Sequence, residues 1–313
     1  MKEYTENDTQ SLNGGVEGTP GVRRQLLSVC GGSVCVYEAG AADRPPIVLL
    51  HGAMYDESRF IWDALFPALA QRYHVFAVDS PRHGGSRPWD GLLDRARLME
   101  ILEETVAQLQ LERFSIVGLS MGGGLAIEYA SLHPEKIEAM ALFEPGGLGE
   151  HVDFQFLSWL YIRTPGMLRM LSRRYVNLVD EKIEKLLMSI FTKGTKPQSP
   201  ERLTAILKDE ISGKFSFGEQ DMDDWQISAI SPFHLNWNLL NEVRQIRCPT
   251  LWLRGAASTL VKQSEMERAV RFAREQGAAA ELTVISNAGH ILPLEQQEQA
   301  NAAVLEFFNK TLG

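Results

Sequence analysis

From Gln25 onward, short β-favouring runs alternate with stretches whose apolar residues recur at helical spacing. Residues 25–29 and 33–38 flank Gly31-Gly32 and predict a hairpin. Residues 47–50 (Ile-Val-Leu-Leu) follow Pro45-Pro46 as a continuous apolar run, which suits a strand buried on both faces. Over residues 60–72, Phe60, Ile61, Ala64, Leu65, Ala68 and Leu69 share one helical face. A strand follows at 75–78, a long amphipathic helix at 92–109, and a third buried strand at 115–119. Residues 122–131 then read as a helix opened by small residues, and residues 137–143 as another strand.

Helices set between buried apolar strands predict an α/β fold, with a mostly parallel central sheet covered on both faces. The rhythm stops at residue 147, and residues 147–240 are largely helical in pattern, rich in Arg, Met and Trp. It resumes with a strand at 250–254, a helix at 264–275, a strand at 282–285 and a last helix at 296–308. The expected organisation is a disordered or extended tail over 1–24, a core formed by 25–146 and 241–313, and a helical lid inserted as 147–240.

Composition narrows the function classes. The formal net charge of -9 and the lack of any Lys/Arg run exclude a basic nucleic-acid surface. The first twenty residues hold no apolar stretch fit for a signal peptide, and the longest apolar runs are strand-sized, so a cytoplasmic protein with no membrane partner is expected. Three cysteines (Cys30, Cys35 and Cys248) make no disulfide framework, although the predicted hairpin brings Cys30 and Cys35 near each other. There is no CxxC pair or clustered His/Cys spacing to bind zinc, and no metal or organic cofactor is implied.

The chemistry starts at Gly118-Leu119-Ser120-Met121-Gly122, between a buried strand and a small-residue helix. A strand-to-helix turn this sharp strains its central residue and leaves no room for flanking side chains. Glycines provide that room and expose the serine hydroxyl, while the helix N-terminus stabilises negative charge developing nearby. Further motifs follow in order: His51-Gly52-Ala53-Met54 after the strand at 47–50, Asp79-Ser80-Pro81-Arg82-His83-Gly84-Gly85-Ser86 after the next strand, and Asn287-Ala288-Gly289-His290 after the last. With these motifs the chain resembles a lid-bearing serine hydrolase of the α/β-hydrolase fold superfamily, over roughly residues 25 to 312.

That resemblance implies Ser120 as nucleophile and His290 as its base. It implies a structural role for His51, and an oxyanion hole made by the backbone N–H of Met121 and of Ala53, with Met54 the alternative if the loop is offset by one. The acid departs from the family pattern. After the strand at 250–254 the chain reads Arg254-Gly255-Ala256-Ala257-Ser258-Thr259-Leu260, without the usual aspartate. Glu144, after the strand at 137–143, is the substitute we favour, as in superfamily members that carry their acid there. The other readings are a Glu144 that only accepts hydrogen bonds from loop backbone N–H groups, and a dyad in which Ser258 or a water orients His290.

The insertion carries Phe154, Phe156, Trp159, Tyr161, Met167, Met170, Met188, Phe191, Trp225, Phe233 and Trp237, of which a minority is expected to reach substrate. Arg163, Arg169, Arg173 and Arg174 read as a solvated helix face before they read as a carboxylate site. The expected activity is hydrolysis of a carboxylic ester, thioester or lactone of a small, partly apolar substrate through an acyl-enzyme on Ser120. Two rivals share the fold: a carbon–carbon bond hydrolase with the same constellation, and a non-catalytic ligand-binding homologue. A serine at the elbow excludes dehalogenase and epoxide-hydrolase chemistry, which needs a carboxylate there.

Overall fold

The strands β1 (Arg23–Val29), β2 (Gly32–Ala39), β3 (Pro46–Leu50), β4 (His74–Val78), β5 (Phe114–Leu119), β6 (Ile137–Phe143), β7 (Thr250–Gly255) and β8 (Ala280–Ile285) form one sheet in the order β1-β2-β4-β3-β5-β6-β7-β8. This is a computed structural model, and it describes residues 14–172, 180–219 and 222–313. The β1–β2 and β2–β4 pairings are antiparallel and the others parallel. The parallel strands lie side by side, so Ser120, Glu144 and the segment before His290 all follow their C-terminal ends, where ligands bind in open α/β sheets.

The continuous apolar runs follow from burial on both faces. Leu49, Ala77, Val117, Ala141, Phe143 and Leu253 pack on one side with Val304 and Phe308 of the helix Gln297–Leu312. Leu50, Phe76, Ile116, Met140, Leu142 and Trp252 pack on the other with the helices Arg95–Gln108, Met121–Leu132 and Gln263–Glu275.

Three details differ from expectation. The hairpin pairs Val29 with Gly32, so its turn is Cys30-Gly31, one residue early, with φ of 50° and 82°. Both turn residues are left-handed, as a two-residue hairpin requires. Cys35 faces Leu26 across the strands, and all three cysteines are free. The helix expected over 60–72 is split into Ser58–Ile61 and Leu65–Ala70, because Pro67 has no N–H to continue the ladder. The tail expected over 1–24 is ordered from Gly14: Val16 is buried, Glu17 stands 3.7 Å from Arg59, and β1 begins at Arg23. Residues 1–13 lie outside the described residues.

The helical insertion between β6 and β7 has two unlike halves. Ile183, Leu187, Leu203, Ile206 and Leu207, from the helices Asp180–Ile190 and Pro200–Ser216, belong to the main core. Arg202 holds Asp63 of the core through a bidentate pair at 2.8 and 2.7 Å. By contrast, the helix Gln155–Arg163 buries only Ile162, and Leu157 is 60% exposed. Arg173 and Arg174 lie outside the described residues. Among the described residues no helix is long and apolar enough to cross a membrane.

Leu207→Ala is expected to lower unfolding stability by about 2–5 kcal/mol in urea titrations, as for other deletions of buried leucine atoms. Leu157→Ala is expected to change it by no more than about 0.5 kcal/mol.

Candidate active site

Ser120 sits between β5 and the helix Met121–Leu132 with φ 51° and ψ -112°, outside the regions open to an ordinary side chain. Such a conformation costs of the order of 1–3 kcal/mol, and the surrounding backbone imposes it. Ser120 N–H donates to the Phe143 carbonyl at 3.0 Å, and the Ser120 carbonyl accepts from Gly146 N–H at 2.8 Å. The flanking glycines are required by contact: a Cβ on Gly118 would stand 2.7 Å from the Gly122 carbonyl oxygen, and one on Gly122 would stand 2.1 Å from that of Leu50.

Glu144 follows β6 and is fully buried. Its Oε1 accepts from Gly255 N–H at 2.9 Å. Its Oε2 accepts from the Ser258 hydroxyl at 2.6 Å and lies 2.8 Å from His290 Nδ1. Because the carboxylate already receives these donors, the imidazole hydrogen belongs on Nδ1, which leaves Nε2 as the basic nitrogen. The structure thus brings together Glu144 and His290, and places Ser258 behind the acid. The loop carrying His290 is fixed by Ala257 N–H to the Ala288 carbonyl at 2.9 Å and by Gly289 N–H to Glu295 Oε2 at 2.7 Å.

On the other side of Ser120, the His51-Gly52-Ala53 turn comes so close that a Cβ on Gly52 would stand 3.6 Å from Ser120 Cβ. His51 Nε2 accepts from Ser80 N–H at 2.8 Å, so its Nδ1 donates to the Gly52 carbonyl at 2.7 Å. Burial first, then the nearby His83, hold the His51 pKa well below the usual histidine range, so the ring is a neutral strut. The Met54 N–H is taken by Asp223 Oδ2 at 3.2 Å. The N–H groups of Ala53 and Met121 have no acceptor among the described residues.

The aromatic residues of the insertion divide as well. Trp225 and Trp237 meet edge to face at 4.6 Å, and a Cβ on Gly124 of the serine-bearing turn's helix would stand 3.0 Å from Trp237 Cζ2. Phe154 and Phe233 are exposed, and Arg163 donates to the Ile227 carbonyl at 3.5 Å. Sequence reading passed over Asp223, Asp56 and Glu295. Asp56 and Glu295 each receive a backbone N–H from a glycine of the site, Gly52 at 2.6 Å and Gly289 at 2.7 Å. Only the nearness of Asp56 and Glu295 to the His-Gly and Gly-His motifs pointed to them, and nothing local marked Asp223.

Comparison with known proteins bears on the family and the fold. The sequence profile of the Alpha/beta hydrolase family matches residues 47–306. The chain is 26% identical over 301 residues to the dihydrolipoyllysine-residue acetyltransferase component of the acetoin cleaving system of Pseudomonas putida, covering 95% of this chain and 72% of that protein. It is 26% identical over 294 residues to the uncharacterized carboxylesterase nap of Bacillus subtilis (strain 168), covering 90% of this chain and 85% of that protein. The crystal structure of carboxylesterase CesB (YbfK) from Bacillus subtilis superposes with a TM-score of 0.69 at 19% identity, over 96% of this chain and 97% of that one.

Ser258→Asp sets a second buried carboxylate against Glu144, and two like charges at this distance cannot both ionise. The variant is expected to melt about 5 °C or more below the parent by calorimetry, and adding Glu144→Gln is expected to recover most of that loss.

Proposed function

The chain belongs to the Alpha/beta hydrolase family, and we propose that it hydrolyses a carboxylic ester, thioester or lactone of a small, partly apolar molecule through an acyl-enzyme on Ser120. The observation that carries this reading is the buried Glu144–His290 contact of 2.8 Å at the strand ends next to the strained Ser120. The family's usual aspartate is replaced by a glutamate one strand over. The carboxylesterase relatives support ester chemistry.

In the proposed sequence Ser120 Oγ attacks the carbonyl carbon while His290 Nε2 takes its proton. Glu144 stabilises the imidazolium and keeps Nδ1 protonated; Gly255 N–H and Ser258 hold Glu144 in place. The carbonyl oxygen becomes an oxyanion received by the N–H groups of Ala53 and Met121, at the N-terminus of the helix Met121–Leu132. His290 then returns its proton to the leaving oxygen or sulfur, the C–O or C–S bond breaks, and water attacks the acyl-enzyme with the same base. The insertion serves as the lid of this site, with Trp225 and Trp237 as its apolar wall near Met121.

A fluorophosphonate probe is expected to label the protein at Ser120, mapped by mass spectrometry, and to leave Ser120→Ala unlabelled. Glu144→Gln is expected to lower kcat for a p-nitrophenyl ester by as much as about 10⁴-fold, through the wrong histidine tautomer. Absence of labelling in folded protein refutes the enzyme reading, and a fully active Glu144→Gln refutes the placement of the acid.

A further inference from the structure

We infer that Asp223, supplied by the helical insertion, is a positioning residue that holds the oxyanion loop in shape through the backbone N–H of Met54. The inference rests on the proposed reading of Ala53 N–H as an oxyanion donor.

The free Ala53 N–H belongs to the peptide unit shared with Gly52, and its direction is set by what holds the units on each side. The Gly52 carbonyl, in the same peptide unit, accepts from His51 Nδ1 at 2.7 Å. The next unit joins Ala53 to Met54. Its carbonyl accepts from Asp56 N–H at 3.2 Å, and its N–H donates to Asp223 Oδ2 at 3.2 Å. Met54 itself is left-handed, with φ 66°, a conformation that a residue bearing a Cβ adopts only when held there. Asp223 is the one side chain outside the loop, among the described residues, that holds this peptide.

Asp223 is itself well anchored. Its side chain is 10% exposed; Oδ1 stands 3.2 Å from Lys214 Nζ and Oδ2 stands 3.4 Å from His83 Nε2. Burial acts to raise its pKa, but the Lys214 ammonium and then His83 outweigh burial and keep it below the ordinary carboxylate range. Lys214 is buried in the helix Pro200–Ser216, the half of the insertion that packs into the core. The next residue repeats the attachment: Asp224 Oδ2 accepts from Arg82 Nη1 at 2.7 Å and from Leu93 N–H at 3.0 Å. Two consecutive carboxylates therefore seat this segment on the strand-end loops, and the seating fixes a donor peptide of the reaction centre. If the segment lifts, Met54 N–H loses its acceptor and the oxyanion loop is free to turn.

Removing Asp223 alone strands the buried Lys214, so the test uses a Lys214→Met background. Lys214→Met/Asp223→Ala is compared with Lys214→Met/Asp223→Asn, whose amide oxygen still accepts from Met54. The readouts are kcat and KM for p-nitrophenyl butyrate and the inhibition constant of butylboronic acid, which forms a tetrahedral adduct on serine. The alanine variant is expected to lose about 10- to 100-fold in kcat and a similar factor in boronate affinity, with KM within about threefold of the background. The asparagine variant is expected to recover kcat to within about threefold of the background. Unchanged kcat in the alanine variant, a loss confined to KM, or an asparagine variant as impaired as alanine overturns the inference. An active wild type with any of these results refutes only the role of Asp223, whereas a wild type that neither turns over ester nor labels at Ser120 refutes the enzyme reading as well.

Discussion

Backbone packed against backbone at the end of β5 decides where every other group of the site can stand. Gly122 N–H donates to the His51 carbonyl at 3.0 Å, with no space between the two backbone segments for even a methyl group. That contact joins the His-Gly turn to the first turn of the helix that follows Ser120. A strained residue needs neighbours that over-determine it. Here they are Phe143 and Gly146, bonded to the Ser120 N–H and carbonyl, and His51, whose carbonyl accepts from the Gly122 N–H.

Glu144 shows how a fully buried carboxylate is made tolerable. A carboxylate with no solvent contact needs donors for both oxygens. Glu144 receives Gly255 N–H from the last residue of β7, the Ser258 hydroxyl from the segment after it, and His290.

What the sequence showed and what it hid divide by range. The strands, the serine-bearing turn, and the loops of His51 and His290 are written in local patterns, because burial on two faces and tight turns both restrict residue type within a few positions. Glu144 was legible only by elimination: a carboxylate after a strand is common, and what distinguishes this one is a histidine 146 positions away. The register of the hairpin turn was one residue off because Cys30, and not the second glycine, takes the left-handed position. The pairs Asp63–Arg202 and Met54–Asp223 join segments more than a hundred residues apart and leave no periodic trace. The same holds for Val16, whose burial depends on a surface assembled from distant helices.

The unequal anchoring of the insertion bears on how such a protein changes over generations. The helix Gln155–Arg163 faces the solvent with one buried residue, so substitutions there leave the folded state nearly untouched and are free to accumulate. The helix Pro200–Ser216 shares the core and bears buried ion pairs to two separate loops, so its sequence is constrained by folding itself. Divergence of the outer surface can therefore proceed by drift in one half, while the other half preserves the frame that the reaction needs.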